Sequence, residues 1–373
     1  MQDVDRMTQA QEVRELELVG DPRKDARWRC LLEGSSSVLC EQNLLFDDDP
    51  FGLDRRIPKL PARIDFESFL LHLEDGEVLD GLRNIVSDNA WFVDRVLPRK
   101  AGPVEVLSCD LRSGVRFGDG ATRFVPRPVD HIGAGVGLAV SNEPSNWGSY
   151  LCRILPKIIR FGEMGLDRIL AYCAGPQHLD LFDLIGLSRG RIIPHDPGRN
   201  YEFASALYMS EPTNSLYLEP TARADLARLA DRFRAWPRRR LYVSRRAGLG
   251  ARSGRTCLNE QALEDELQAL GIEIIHPDQL NVRQQITAFA NASLIIGCSG
   301  AGMFNAVFAP REAVVIEIES SSNWSYAHTS LFSSLGLRHG FVWGLPMSGH
   351  GSGPHVPFEV DVAAVCSRVK DYA

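Results

Sequence analysis

The chain has 373 residues, 44% hydrophobic and 24% charged, with a net charge of −7. That is a soluble globular composition with room for two cores. It argues against a general nucleic-acid-binding surface, and no run approaches the ~18 apolar residues that span a bilayer. The 41 basic side chains are 5 Lys and 36 Arg, so a single arginine is weak evidence of a site. Eight scattered cysteines show no CxxC or Cys/His ligand spacing, which points to a reduced, cytoplasmic protein with no metal site.

Residues 1–25 form a polar lead-in with no apolar signal core. Over 26–195, short apolar runs alternate with turns in the manner of an α/β domain, with strand-like runs at 102–109 and 132–140. Asn146 reads as the N-cap of a helix whose positions Trp147, Tyr150, Leu151, Ile154, Leu155, Ile158 and Ile159 share one face. Pro156 inside that run must kink or end the regular hydrogen bonding. A strand at 167–172, a helix at 177–184 and a strand at 191–193 follow, and 194–220 reads as the crossing between domains.

The second domain, 196–345, has a clearer rhythm. An amphipathic helix at 221–235 precedes strand 241–244, helix 259–270, strand 272–275 and helix 282–291, the last capped by Asn281. Strand 293–297 runs into a small-residue turn and a short helix, then strand 313–318, helix 327–335 and strand 341–343. Strands alternating with helices at this spacing imply a parallel sheet covered on both faces. The terminal segment 346–373 combines the end of a Gly/Pro/His-rich linker (344–357) with a helix at 358–372, long enough to return to the first domain.

Two motifs carry chemistry. Gly297-Cys-Ser-Gly-Ala-Gly302 follows an apolar strand and opens a helix, so the N–H groups of Ser299, Gly300, Ala301 and Gly302 are placed to converge on an anion. The pattern is not the G-x-G-x-x-G of a dinucleotide fold, and a packing turn is the plain alternative. Upstream, Arg240-Leu-Tyr-Val-Ser-Arg-Arg246 ends a strand in two guanidinium groups, either a solvated face or a bidentate phosphate clamp. Together they point to a diphosphate site and a nucleotide-activated substrate. Asn259 and Glu260 open a helix as a cap or as ligand-binding groups. Glu317, near a strand end, suits either two ribose hydroxyls or a turn. His131, His178, His195 and His276 show no ligand spacing.

In this order the motifs resemble glycosyltransferase family 61. Its first-half Asn-x-x-His-Trp-Leu…Leu-Pro-Arg helix corresponds here to Asn146-Trp-Gly-Ser-Tyr-Leu-Cys-Arg-Ile-Leu-Pro-Lys157. Its second half corresponds to Tyr242-Val-Ser-Arg245, Arg255-Thr-Cys-Leu-Asn-Glu260, Gln284-Gln285, Gly297-Cys-Ser-Gly-Ala-Gly-Met-Phe-Asn305 and Val314-Val-Ile-Glu317. The resemblance implies a GT-B-like α/β architecture, two Rossmann-like domains facing a central cleft. It implies an inverting, metal-independent glycosyltransferase of capsular or other bacterial polysaccharide biosynthesis, with no cofactor beyond a nucleotide-sugar co-substrate, UDP-linked by preference. Arg245, Arg246, Asn259, Glu260, Ser299, Gly300, Ala301, Gly302, Asn305 and Glu317 would bind the donor. Asn146, Ser149, Tyr150 and Arg153 would face a glycan, lipid-linked or small-molecule acceptor, with peripheral membrane association where it is lipid-linked.

The chain departs from that family at both motif histidines, here Ser149 and Ser299, and has Tyr150 for a Trp and Arg153 for an acidic residue. This marks a divergent member. Transfer needs a general base, and the nearby substitutes in the first domain are Glu143 and His131. Two alternatives stay open: a catalytically impaired nucleotide-sugar-binding or scaffold subunit, and a GT-B-like UDP-sugar epimerase. Oligomeric state is not legible from the sequence.

Overall fold

The computed structural model describes residues 21–40, 43–79, 127–141, 143–214, 216–246, 256–319, 328–347 and 356–372. It adds the backbone of strand or helix segments at 12–14, 17–18, 84–87, 90–93, 99–101, 104–106, 115–117, 122–124 and 322–327. Cys109, Arg255, most of the lead-in and most of the linker lie outside the described residues. The chain divides into two compact units, Met1–Ser36 with Phe66–Pro212 and Ser37–Asp65 with Thr213–Ala373.

The first unit is built on a mixed sheet. Seven of its ten strands are β1 (Arg29–Leu39), β3 (Arg63–Leu79), β4 (Val129–His131), β5 (Val136–Ala139), β6 (Arg168–Tyr172), β7 (Ile192–His195) and β8 (Asn200–Met209), and the short segments 84–87, 90–93 and 17–18 continue the sheet beyond β3; β2 (Leu44–Asp48) belongs to the second unit. The order is β7-β6-β5-β8-β3, with β4 also on β8 and β1 on β3. β5, β6, β7 and β8 run parallel, whereas β3 is antiparallel to β8. The stretch 194–220, expected as a domain crossing, thus contains a ten-residue strand in the middle of a sheet. Its alternation breaks phase: Tyr201 and Phe203 are buried, then Ala206 and Tyr208. The break falls where its parallel neighbour changes from β4 to β5. Leu71, Leu73, Val136, Leu138, Leu170, Tyr201, Phe203 and Tyr208 belong to the core of this unit.

The helix after Asn146 responds to Pro156 as the chemistry requires. A first turn, Trp147–Ser149, widens into a π-helical segment, Tyr150–Ile154, before α1 (Leu155–Glu163) resumes regular winding. The Leu155 N–H donates to the Tyr150 carbonyl, and Pro156 has no N–H to offer the preceding turn, so the ladder loosens there. α2 (Pro176–Leu184) links β6 to β7.

The second unit is a six-stranded parallel sheet. In chain order it uses α3 (Pro220–Asp231), β9 (Arg239–Val243), α4 (Glu260–Ala269), β10 (Glu273–Ile275), α5 (Val282–Ala290), β11 (Ala292–Cys298), a 3-10 helix Ala301–Phe308, β12 (Val314–Glu319), α6 (Ser322–Leu335), β13 (Arg338–Trp343) and α7 (Val362–Tyr372). The order is β10-β9-β11-β12-β13-β2, all parallel. Side chains alternate across it: Tyr242, Leu294, Ile296, Cys298, Ile316 and Ile318 share one apolar cluster with Leu263 and Leu267 of α4 and Val365 and Val369 of α7. The terminal helix, expected to return to the first domain, therefore packs within the second unit. It also anchors β2, through Arg368 on the Asp48 carboxylate and a stack of Tyr372 on Phe46 at 6.1 Å. Among the described residues no helix is long and apolar enough to cross a membrane.

Gly340 of β13 lies against the Phe46 ring, so a methyl group there would overlap it. Gly340→Ala is expected to lower unfolding stability by about 1–3 kcal/mol, the range for overpacking a tight contact. Urea unfolding would read this, and a variant as stable as the parent would show that β2 is not held against β13.

Candidate functional site

Strand order in the second unit reverses between β9 and β11: β10 lies beyond β9, and β12 and β13 lie beyond β11. Connections on the two sides of such a point diverge and leave a crevice at the carboxyl ends of the strands, where open α/β sheets bind ligands. Both sequence motifs end there, Ser244-Arg245 after β9 and Ser299-Gly300 after β11.

The small residues make this approach possible. A Cβ on Gly297 would meet Met303 Sδ at 2.7 Å and the Val243 side chain at 3.0 Å, and one on Gly300 would meet the Arg245 guanidinium at 3.0 Å. Of the four N–H groups expected to face an anion, that of Ser299 donates instead to the Ile318 carbonyl at 2.8 Å. The N–H of Met303 closes on the Gly300 carbonyl at 3.0 Å. Those of Gly300, Ala301 and Gly302 find no acceptor among the described residues. Ala301 is exposed and Gly302 half-buried, so this helix start is open.

The other donor-side candidates divide between this crevice and its supports. The Arg245 guanidinium contacts the Ser299 carbonyl beside that cradle. Arg246 turns to an ion pair with Glu264 at 2.6 Å. Glu260, 2% exposed, accepts from Tyr242 Oη and the Arg245 N–H, both at 2.9 Å, and so fixes the end of β9. Burial raises the Glu260 pKa, against the lowering effect of these two bonds. The Asn259 side chain makes no helix cap; it exchanges two hydrogen bonds with the Val360 backbone at 2.8 and 3.0 Å. Asn305 is fully buried and donates to Gln285 and to the Gly302 carbonyl, holding the 3-10 helix on α5. Glu317 is fully buried too, with its Oε1 on His328 Nδ1.

In the first unit, Asn146 caps as expected: its Oδ1 accepts from the N–H of Gly148 at 2.9 Å and of Ser149 at 3.3 Å. Glu143 lies three residues before it in a left-handed conformation, φ 52°, a geometry that costs a non-glycine residue on the order of 1–3 kcal/mol and concentrates at functional sites. Its exposed carboxylate accepts from Ser149 Oγ at 3.3 Å. Tyr150 is buried and Arg153 half-buried in the π-helical segment.

His131 does not join this group. It pairs with Glu202 at 2.8 Å, at the start of β8, whereas β5, which leads to Glu143, pairs with Tyr208 near the other end of β8. At about 3.3 Å per residue the two ends are roughly 20 Å apart. Beneath the Glu143 turn a buried pair holds α1 to the sheet: Lys157 Nζ lies 3.4 Å from Glu211 and donates to the Val140 carbonyl at 2.9 Å, and Ser141 donates to Glu211 at 3.0 Å.

Sequence reasoning missed His328, which shares a buried cluster with Ser299 and Glu317. Its only sequence signal was a histidine on a helix after β12. It missed as well the ring cluster of Tyr150, Tyr172 and His178, with centroids 4.5 and 5.2 Å from the histidine.

The model of the family described as Glycosyltransferase 61 matches residues 118–316, more than half of the chain. No curated protein matches.

Burial among those rings lowers the His178 pKa from 6.5 to about 4. A depressed histidine pKa means that the unfolded chain takes up the proton first as pH falls. The contribution is thus complete above about pH 6.5 and is lost as pH falls toward 4. Between pH 7.5 and pH 5 this costs roughly 2 kcal/mol. His178→Phe should flatten the pH dependence of urea unfolding by about that amount; a slope equal to the parent's would show that His178 is not the titrating group.

Proposed function

Because the chain belongs to the glycosyltransferase 61 family, we propose that it is an inverting, metal-independent transferase moving a sugar from a nucleotide-sugar donor, UDP-linked by preference, to a glycan or lipid-linked acceptor. The two units then correspond to the donor-side and acceptor-side halves of a GT-B-like enzyme. One observation supports the donor side most strongly. Three consecutive N–H groups, of Gly300, Ala301 and Gly302, stand without an acceptor among the described residues at the topological switch point, with the Arg245 guanidinium beside them. Preorganised donors and a fixed cation are what a leaving diphosphate requires.

In this reading each unit has its own share of the transfer. The acceptor hydroxyl loses its proton to a general base, for which Glu143 is the first unit's candidate, as its oxygen attacks the anomeric carbon. The bond from that carbon to the diphosphate breaks, and its electron pair leaves with the diphosphate oxygen, the charge for which the second unit's N–H cradle and Arg245 are suited. Glu143 is preferred over His131 because it is exposed, held by Ser149 and set in a strained turn beside Asn146, whereas His131 pairs with Glu202 elsewhere on the sheet. Asn146, Ser149, Tyr150 and Arg153 then stand on the acceptor side. Seven described cysteines are free thiols, which suits a reducing cytoplasm, where we place the reaction, in bacterial polysaccharide synthesis such as capsule assembly, with the chain meeting the membrane through a lipid-linked acceptor.

A thermal-shift screen against UDP-, GDP-, dTDP- and CMP-sugars tests the donor reading. One nucleotide class should stabilise the protein, by about 2.7 kcal/mol at 100-fold saturation, and Arg245→Ala should remove most of that shift. A folded protein stabilised by none of them would overturn the reading. With the donor identified, Glu143→Gln should lower kcat about 10²- to 10⁴-fold, the usual worth of a general base, with donor affinity unchanged. An unchanged kcat would remove Glu143 from the mechanism.

A further inference from the structure

Directly behind the N–H cradle, Ser299, Glu317 and His328 form a polar cluster in which none of the three is more than 2% exposed. Both Glu317 and His328 lie beyond the family match, which ends at residue 316. His328 Nδ1 is 3.3 Å from Ser299 Oγ and also contacts Glu317 Oε1. Phe304, in the 3-10 helix, meets the imidazole edge-on at 4.6 Å and restricts its rotation. Glu317 Oε2 has no hydrogen-bond partner among the described residues.

The hydrogen placement follows from the chemistry. A fully buried carboxylate with one described partner requires that partner to donate, so Nδ1 carries hydrogen and gives it to Glu317. A nitrogen that carries hydrogen cannot accept from Ser299. The serine oxygen takes a share of the same N–H, and its own hydrogen is left to donate elsewhere. Ser299 Oγ has no other described partner, and the residue after it opens the cradle.

We propose that His328 is a positioning residue of the donor site: its Nδ1–H masks the buried Glu317 carboxylate and turns the Ser299 hydroxyl toward an anion bound at Gly300, Ala301 and Gly302. The inference rests on the donor reading above and extends it to a residue that touches no ligand itself. Without the imidazole, an unpaired carboxylate would stand behind the anion site and the serine hydroxyl would turn back to it.

Inorganic pyrophosphate is the probe, measured by titration calorimetry on the full chain, with thermal melts to confirm folding. His328→Ala and Ser299→Ala should each weaken binding about 10-fold or more, the loss of one hydrogen bond to a charged group. His328→Asn keeps an N–H near the Nδ1 position and should bind within about 3-fold of the parent. Adding Glu317→Gln to His328→Ala removes the unpaired charge behind the cradle and should restore most of the lost affinity, which repair of a merely structural defect would not do. Parent-like binding by His328→Ala, no rescue by Glu317→Gln, or a folded His328→Asn as weak as His328→Ala would each overturn the proposal. If His328→Ala does not fold, the His328→Asn and Ser299→Ala comparison decides alone. A parent that fails to bind pyrophosphate overturns it too. Pyrophosphate binding with no response to any nucleotide sugar would instead defeat the donor reading, and with it the name of the site, while the variant series would still decide whether His328 positions the anion cradle.

Discussion

Between β9 and β11 the sheet of the second unit reverses its strand order, and the candidate donor site depends on that reversal. Helices that leave adjacent parallel strands in opposite directions cannot close over the strand ends, so backbone polar groups there stay accessible. Gly297 and Gly300 are the local condition for using the gap. The missing side chain of Gly297 lets Met303 and Val243 approach where a Cβ would crowd them, and that of Gly300 leaves the Arg245 guanidinium its place. The 3-10 helix can then begin at the end of β11 with three N–H groups that have no acceptor among the described residues.

Around that opening, buried polar side chains do most of the positioning. Glu260 holds the end of β9 by its bonds to Tyr242 and the Arg245 backbone. Asn305 and Gln285 tie the 3-10 helix to α5, and Asn259 ties the start of α4 to Val360, just before α7. Buried groups of this kind lose far more when left unpaired than they gain when paired. The network therefore fixes one arrangement of the site rather than adding much stability. In the first unit the Lys157–Glu211 pair has the same role under the turn that carries Glu143.

The resemblance to the family led to histidines at two motif positions that hold Ser149 and Ser299 here. The structure shows each serine beside another titratable group, Glu143 for Ser149 and His328 for Ser299. Neither partner stands at the motif position. Glu143 precedes Ser149 in a local turn and was within reach of sequence reasoning; His328 arrives from a separate helix and was not.

Periodicity and turn residues alone were enough for the alternating strands and helices of the second unit, the Asn146 and Asn281 caps, the disturbance at Pro156 and the small-residue turn at 297–302, because each depends on neighbours a few residues away. Tertiary structure decided what depends on distant partners. β2 joins the second sheet from 290 residues upstream of β13, and β8 fills the middle of the first with an alternation that slips where its neighbour changes. α7 stays with its own unit because Val365 and Val369 find the cluster of Tyr242 and Leu263 there. Arg245 and Arg246 are adjacent and chemically identical, yet one lies on the Ser299 carbonyl and the other on Glu264. Strand direction and the groups that happen to face each side chain separate them, and no local pattern encodes either.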